Sequence, residues 1–138
     1  MAFMLMIVLT NYTRPCEVFR IKRGQLVPPF RGATTHWMLL NPEELKQPSK
    51  MAIFDDSIDL SNKMVPWMMH LVEAAAAGPR DENVFSFSYE EFAREFRRLV
   101  KRLRLTTCVP YQTRHSGASI DVSNRWRPLP EVKKRGRW

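Results

Sequence analysis

The segment VPYQTRHSGASID, residues 109–121, is the most informative part of this sequence. Pro110 suits the first turn of a helix, where its missing N–H would have no partner anyway, so we predict a helix that starts near Pro110 and carries residues 111–122. Arg114 follows Tyr111 by three residues, which places both side chains on one helix face. Gly117 is unfavourable inside a helix and is better explained by the close approach of another backbone.

A strongly basic helix is predicted just before this segment. Ser88 and Glu91 have the spacing of a capping box, and the run FAREFRRLVKRLRL that follows has helical periodicity. A last short helix, PLPEVKKRG, is expected to end at Gly136. The apolar stripe of the basic helix is Phe92, Phe96, Leu99, Val100 and Leu103. Its other positions carry the cations Arg94, Arg97, Arg98, Lys101, Arg102 and Arg104.

The preceding part of the chain is predicted to combine helices with a small sheet. Residues 2–12 have the composition of a buried helix, and Pro15 suits the first position of the next one. Between residues 24 and 60 the runs GQLVPPF, THWMLL and MAIFDDSIDL favour strands, with NPEELKQPSK as an exposed connector. Residues 62–77 return to a helical pattern that Gly78 and Pro79 close. The predicted fold class is α+β, mostly α-helical, with a small antiparallel sheet or hairpin after the first helices.

Positive charge is concentrated in the last third of the chain. The formal net charge is +8, and residues 94–138 carry 13 Lys and Arg against 3 Asp and Glu, whereas residues 1–93 carry 9 against 11. This bias favours a polyanionic partner such as nucleic acid. The charge bias indicates a class of partner but not a function, because ribosomal, nucleic-acid-processing and acidic-membrane-binding proteins all have such a bias.

Composition argues against disulfide-stabilised, metal-binding and membrane-spanning classes. The two cysteines form no CxxC pair, and the three histidines lack the spacing of metal ligands. The apolar start MAFMLMIVL has no basic n-region or cleavage site and is too short to cross a bilayer. A length of 138 residues fits one domain. We therefore expect an intracellular globular chain with no membrane partner and no metal.

The box YQTRHSGAS resembles the second conserved box of the tyrosine recombinase (phage-integrase-type) family, usually written H-x-L-R-H-T. Arg114 stands at the position of the second catalytic Arg, His115 at that of the following His and Ser116 at that of the Thr. Tyr111 stands where the family most often has His, and Thr113 stands where it has Leu.

Three other elements of the family pattern occur in the family's order. NYTRPCEVFRI resembles the first box, with Arg14 at the first catalytic Arg and Glu17 at the acidic position three residues on. QPSKMAIFDDSIDL resembles the β-hairpin that carries a catalytic Lys, which puts Lys50 at that position. KKRGRW resembles the form in which Trp replaces the last conserved His, which puts Trp138 there. Weaker candidates for the catalytic Lys are Lys46 and Lys63.

The resemblance implies DNA strand cleavage and rejoining through a 3′-phosphotyrosyl intermediate, without a cofactor. Arg14 and Arg114 would bind the non-bridging oxygens of the scissile phosphate, and Lys50 would protonate the leaving 5′-oxygen. Tyr111 would assist proton transfer or hydrogen-bond the phosphate, and Trp138 would pack against the phosphate pocket or hydrogen-bond to it. Supporting roles would fall to Glu17, which orients an Arg, and to His115. Further DNA contacts are expected from Arg97, Arg98, Lys101, Arg102, Lys133 and Lys134.

The family's nucleophilic tyrosine has no counterpart in the sequence. It lies beyond the Trp position in the family, and Tyr12, Tyr89 and Tyr111 stand where the family has no nucleophile. We therefore expect residues 1–138 to be a partial recombinase catalytic domain, cut at both ends, that associates with DNA in a nucleus or nucleoid. Alone it should not complete strand cleavage, although a full-length partner in a recombinase oligomer could donate the tyrosine.

Two alternatives to a recombinase fragment stay open. The chain could be a non-catalytic nucleic-acid-binding module that uses helix 90–104 and the basic tail, or a decayed mobile-element remnant with no activity. The individual residues have simpler explanations too: Arg14 as a surface turn residue, Lys50 as a solvated strand-edge Lys, His115 as a backbone hydrogen-bond partner and Trp138 as a frayed terminus.

Overall fold

The structure is a computed structural model that describes residues 1–40, 42, 56–62, 65–105 and 107–138. The described residues form six α-helices and a three-stranded antiparallel sheet, which confirms the predicted α+β, mostly helical class. The helices are α1 (Ala2–Asn11), α2 (Pro15–Phe19), α3 (Met68–Ala76), α4 (Tyr89–Arg102), α5 (Pro110–Ser123) and α6 (Leu129–Gly136). The strands are β1 (Leu26–Val27), β2 (Trp37–Leu40) and β3 (Asp56–Asp59).

The chain divides into two compact units. The helical unit consists of Met1–Phe19 and Phe85–Trp138, and the sheet unit consists of Arg20–Val84. All helices except α3 therefore belong to the helical unit. No helix among the described residues is both long and apolar enough to cross a membrane.

The packing of α1 against α5 organises the helical unit. Helix α1 is apolar almost all round, as expected for a buried helix, and Met4 and Val8 are completely buried. Gly117 of α5 permits the close approach of α1, because a β-carbon at this position would overlap the carbonyl oxygen of Leu9. Both the buried first helix and the close backbone approach at Gly117, predicted from the sequence, are confirmed.

Helix α4 begins as its sequence predicts but ends earlier. The Ser88 hydroxyl accepts from the N–H of Glu91 at 3.2 Å, and the Glu91 carboxylate accepts from the N–H of Ser88 at 2.8 Å, which completes the capping box. Phe92 is buried against Phe19, with ring centroids 5.2 Å apart. The predicted stripe is wrong at Leu103, which follows the helix and is 59% exposed, because the chain turns out of the helix there. Arg104, with a φ of 56°, also lies outside α4.

The sheet unit confirms the antiparallel strands predicted between residues 24 and 60. In the order β1-β2-β3, Leu26 lies opposite Met38 and Met38 lies opposite Ile58, so these three buried side chains share one face. The connector NPEELKQPSK, apart from Pro42, and residues 51–55 of the third run lie outside the described residues. So do the candidate catalytic residues Lys46, Lys50 and Lys63.

Helix α3 is shorter than the predicted helix over residues 62–77. It begins at Met68, after a turn at Pro66 and Trp67, so the prediction is wrong for the described residues before Met68. Proline disfavours helical backbone in the residue before it, here Val65, and this delays the start of the helix. At the other end Gly78 has a φ of 115°, a left-handed conformation that suits glycine, so the predicted stop is confirmed.

Candidate functional site

The side chain of Arg114 is buried inside the helical unit. It is the largest fully buried side chain of the described residues, and its Nη2 donates to the carbonyl oxygen of Gly136. Its Nε and Nη1 are also buried and have no hydrogen-bond partner, and no described carboxylate forms an ion pair with it. Burial lowers the pKa of Arg114, and the positive charge of Arg14 lowers it further. A buried cation with unpartnered N–H groups is unfavourable alone, and an anion would satisfy it.

Aromatic rings surround the Arg114 guanidinium. Its Cζ lies 4.9 Å from the ring centroid of Trp138 and 5.9 Å from that of Tyr111, which are cation–π distances. The Trp138 ring also stacks on His115 and on Tyr12, at centroid distances of 5.6 and 6.1 Å. These contacts place the Trp138 ring against Arg114, His115 and Tyr12.

The carboxylate of Glu17 forms ion pairs with two further arginines of the helical unit, Arg14 and Arg137. Its Oε1 accepts from Nη1 of Arg14 at 2.8 Å, and its Oε2 accepts from the backbone N–H of Arg14 at 2.8 Å and from Nη2 of Arg137 at 2.6 Å. Burial acts to raise the pKa of Glu17, but the charge of Arg137 and the hydrogen bonds from both arginines outweigh it and lower the pKa. Glu17 is therefore ionised at neutral pH and forms an ion pair with Arg14.

Arg137 is a member of this cluster that the sequence did not single out. It follows Gly136 in a left-handed conformation, with a φ of 57°, and its side chain reaches back to Glu17 in α2. In the run KKRGRW it looks like any other basic residue of the tail. Its membership in this cluster depends on the tertiary contact with Glu17, 120 residues away in the chain.

A second buried polar cluster connects Tyr12, the residue after α1, with Asp121 in α5. Asp121, 2% exposed, accepts from the hydroxyl of Tyr12 and from Nη1 of Arg127. Burial raises the pKa of Tyr12, and its hydrogen bond to Asp121 raises it further, so this phenol stays protonated at neutral pH. We interpret this cluster as structural, because its polar groups hydrogen-bond to one another. No local sequence pattern predicts it.

The remaining predicted site residues in the described part of the chain are exposed. Tyr111 and His115 lie on the surface of α5 and contact each other with ring centroids 5.1 Å apart. Among the described residues, no three His, Cys, Asp or Glu side chains form a group that could hold a metal ion. The predicted DNA-binding cations are all solvent-exposed: Arg97, Arg98, Lys101 and Arg102 on α4, and Lys133 and Lys134 on α6.

The structure thus brings Tyr111, Arg114, His115 and Trp138 into one set of ring and cation–π contacts in the helical unit. Arg14 and Glu17 form an ion pair in the same unit, and the positive charge of Arg14 lowers the pKa of Arg114. Comparison of the chain with protein-family models, with curated proteins and with solved structures found no match.

Proposed function

We propose that this chain binds DNA and that Arg114, Arg14 and Trp138 form a phosphate-binding pocket of the tyrosine recombinase type. The observation that carries the proposal is the fully buried Arg114 guanidinium, which has two unpartnered nitrogens and whose pKa is lowered by burial and by the positive charge of Arg14. A phosphodiester would supply both the negative charge and the acceptor oxygens that this guanidinium lacks. The pocket would serve a site-specific recombinase or integrase, whose family reaction breaks and rejoins DNA.

The chemistry of arginine fits this ligand. A guanidinium presents a planar fork of N–H donors that matches two oxygens of one phosphate, and bonds between charged groups are stronger than neutral ones. In this structure Trp138 and Gly136 cover Arg114, which leaves it fully buried. Phosphate entry therefore requires a displacement of the Trp138 ring or of its neighbours.

The exposed cations of α4 and α6 support a sequence-independent contribution to DNA binding. Neutralising phosphates with Lys and Arg releases counterions, so the affinity should fall steeply with salt concentration. We propose that Arg97, Arg98, Lys101, Arg102, Lys133 and Lys134 supply this contribution, and that DNA in a nucleus or nucleoid is the partner.

The tyrosines in the chain do not provide a nucleophile in the proposed mechanism. Tyr12 is buried with its hydroxyl on Asp121, and Tyr89 packs its ring against Phe19, with centroids 5.7 Å apart. Tyr111 stands at the position that the family pattern gives to a histidine. We propose that this chain alone forms no covalent 3′-phosphotyrosyl adduct and that any cleavage needs a tyrosine from a partner in a recombinase oligomer. Trapping an adduct of the purified chain on a suicide DNA substrate would contradict this.

Equilibrium binding to a fluorescently labelled DNA duplex, measured over a range of KCl concentrations, tests the DNA-binding proposal. Loss of a hydrogen-bonded charge at the pocket should weaken binding of Arg114→Gln roughly tenfold or more. Arg31→Gln removes the same charge from an exposed residue of the sheet unit and serves as the matched control.

A non-catalytic module that binds DNA through its basic helix is the second candidate, favoured by the exposed cations of α4. In that case Arg114→Gln would bind as well as the Arg31→Gln control, while Arg97→Gln and Lys101→Gln would weaken binding. The two candidates therefore differ in the rank order of four single variants.

A further inference from the structure

We propose that Arg137 is a positioning residue of the anion pocket, which acts by sharing Glu17 with Arg14 and so keeps the charge of Arg14 available to a phosphate. This inference rests on the proposed phosphate-binding function. The family pattern assigns no role to this position.

The geometry places Arg137 and Arg14 on the same carboxylate. Oε2 of Glu17 accepts from Nη2 of Arg137 at 2.6 Å, whereas Oε1 accepts from Nη1 of Arg14 at 2.8 Å. The side chains of Glu17 and Arg137 are 7% and 17% exposed, so solvent screens their interaction only partly. The positive charges of Arg14 and Arg137 both act on Arg114, since each of them lowers its pKa.

The charges of these four side chains do not balance. One carboxylate can neutralise only one of the two guanidiniums that it contacts, and Arg114 adds a third. The four groups therefore hold an excess of two positive charges. Without Arg137, both oxygens of Glu17 would contact Arg14 alone, and of these groups only Arg114 would keep a positive charge that Glu17 does not neutralise.

The backbone after α6 explains how Arg137 reaches this position. Residue 137 is left-handed, and the N–H groups of Arg137 and Trp138 donate to the carbonyl oxygens of Lys134 and Lys133 at 3.2 and 3.1 Å. This turn sends the Arg137 side chain back to Glu17, while Gly136 accepts from Arg114 and Trp138 stacks over it. Three successive residues thus contact the pocket.

Charge rescue tests the inference. DNA affinity and its salt dependence are measured on the labelled duplex for Arg137→Gln, for the double variant Glu17→Gln/Arg137→Gln and for Arg137→Lys. We expect Arg137→Gln to weaken binding roughly tenfold and to make its salt dependence shallower. The double variant restores the excess of two positive charges, so its DNA affinity should recover to within about threefold of that of the unmodified chain. Arg137→Lys keeps the positive charge, so its affinity should lie within the same range.

A merely structural role for Arg137 would give a different pattern. The double variant would then bind no better than Arg137→Gln, and that result, or an unchanged affinity of Arg137→Gln, overturns the inference. Circular dichroism checks that each variant is folded, and Arg137→Met, which keeps most of the aliphatic stem, replaces Arg137→Gln if that variant unfolds. Arg114→Gln is measured in parallel: if it binds normally, the proposed function fails, whereas if it alone weakens binding, only the role of Arg137 fails.

Discussion

At the scale of single residues, the helical unit holds two buried polar clusters with opposite character. The cluster of Tyr12, Asp121 and Arg127 is internally satisfied, because one carboxylate accepts from a phenol and a guanidinium. Arg114 is not satisfied, because two of its nitrogens are buried without a partner. Native structures pair nearly all buried polar groups, so the two unpartnered nitrogens of Arg114 support the proposal that this side chain binds an anion.

Substitution of Tyr12 measures how much its hydrogen bond to Asp121 contributes to stability. Tyr12→Phe removes one hydrogen bond to the buried carboxylate of Asp121, and we expect it to lower the free energy of unfolding by about 1–3 kcal/mol in urea denaturation. Tyr89→Phe, at a tyrosine that is 56% exposed, is the matched control and should change it by less than about 0.5 kcal/mol. Equal effects of the two substitutions would mean that the Tyr12 hydroxyl contributes nothing.

Glu17 should make stability depend on pH in a defined direction. Its pKa in the folded chain is lower than its ordinary value, so folding favours the ionised form. The contribution of ionised Glu17 to the free energy of unfolding is therefore complete above the ordinary glutamate pKa of about 4.3. It is lost as the pH falls through the lower pKa of Glu17 in the folded state. We expect Glu17→Gln to be less stable than the unmodified chain at neutral pH, with the difference shrinking in urea denaturation at acidic pH. A difference that grows on acidification would contradict this account.

At the scale of helices and strands, the sequence predicts the helix ends that depend on residues within one turn. The capping box at Ser88 placed the start of α4, and Pro110 placed the start of α5, since both act within one turn. The start of α3 differs from the predicted one because Pro66 delays the helix to Met68. The partners of the site were accessible only through the resemblance to a family, because Arg14 and Arg114 lie far apart in sequence. Arg137 and Asp121 had no signal at all, since their roles depend entirely on tertiary contacts.

Gly117 tests the packing of α5 on α1. Alanine at an ordinary helix position would stabilise the helix by roughly 1 kcal/mol relative to glycine. At position 117 its β-carbon would overlap the Leu9 carbonyl oxygen, so the two helices must separate, and we expect Gly117→Ala to lower the free energy of unfolding by about 1–3 kcal/mol. Ser119→Ala, on the exposed side of α5, is the control. Stabilisation by Gly117→Ala would show that the helices do not approach this closely.

At the scale of the whole molecule, the distribution of charge and the buried site point to the same kind of partner. The cations of α4 and α6 are exposed, and we propose that they attract polyanions in general, whereas Arg14, Arg114 and Arg137 would form a local site for one anion. The charge excess of the last third was evident in the sequence. The burial of Arg114 among the otherwise exposed or partly exposed cations of this region was not evident, because burial is a property of the folded chain.

The most direct test of the central claim is an NMR titration that observes the arginine Nε–Hε groups while inorganic phosphate is added. The Arg114 signal is assigned by its absence in Arg114→Lys. The phosphate-pocket account predicts a saturable shift of the Arg114 signal, while that of the exposed control Arg31 changes little. An Arg114 signal that stays in place while exposed arginines shift would contradict it, because phosphate would then bind only to the surface.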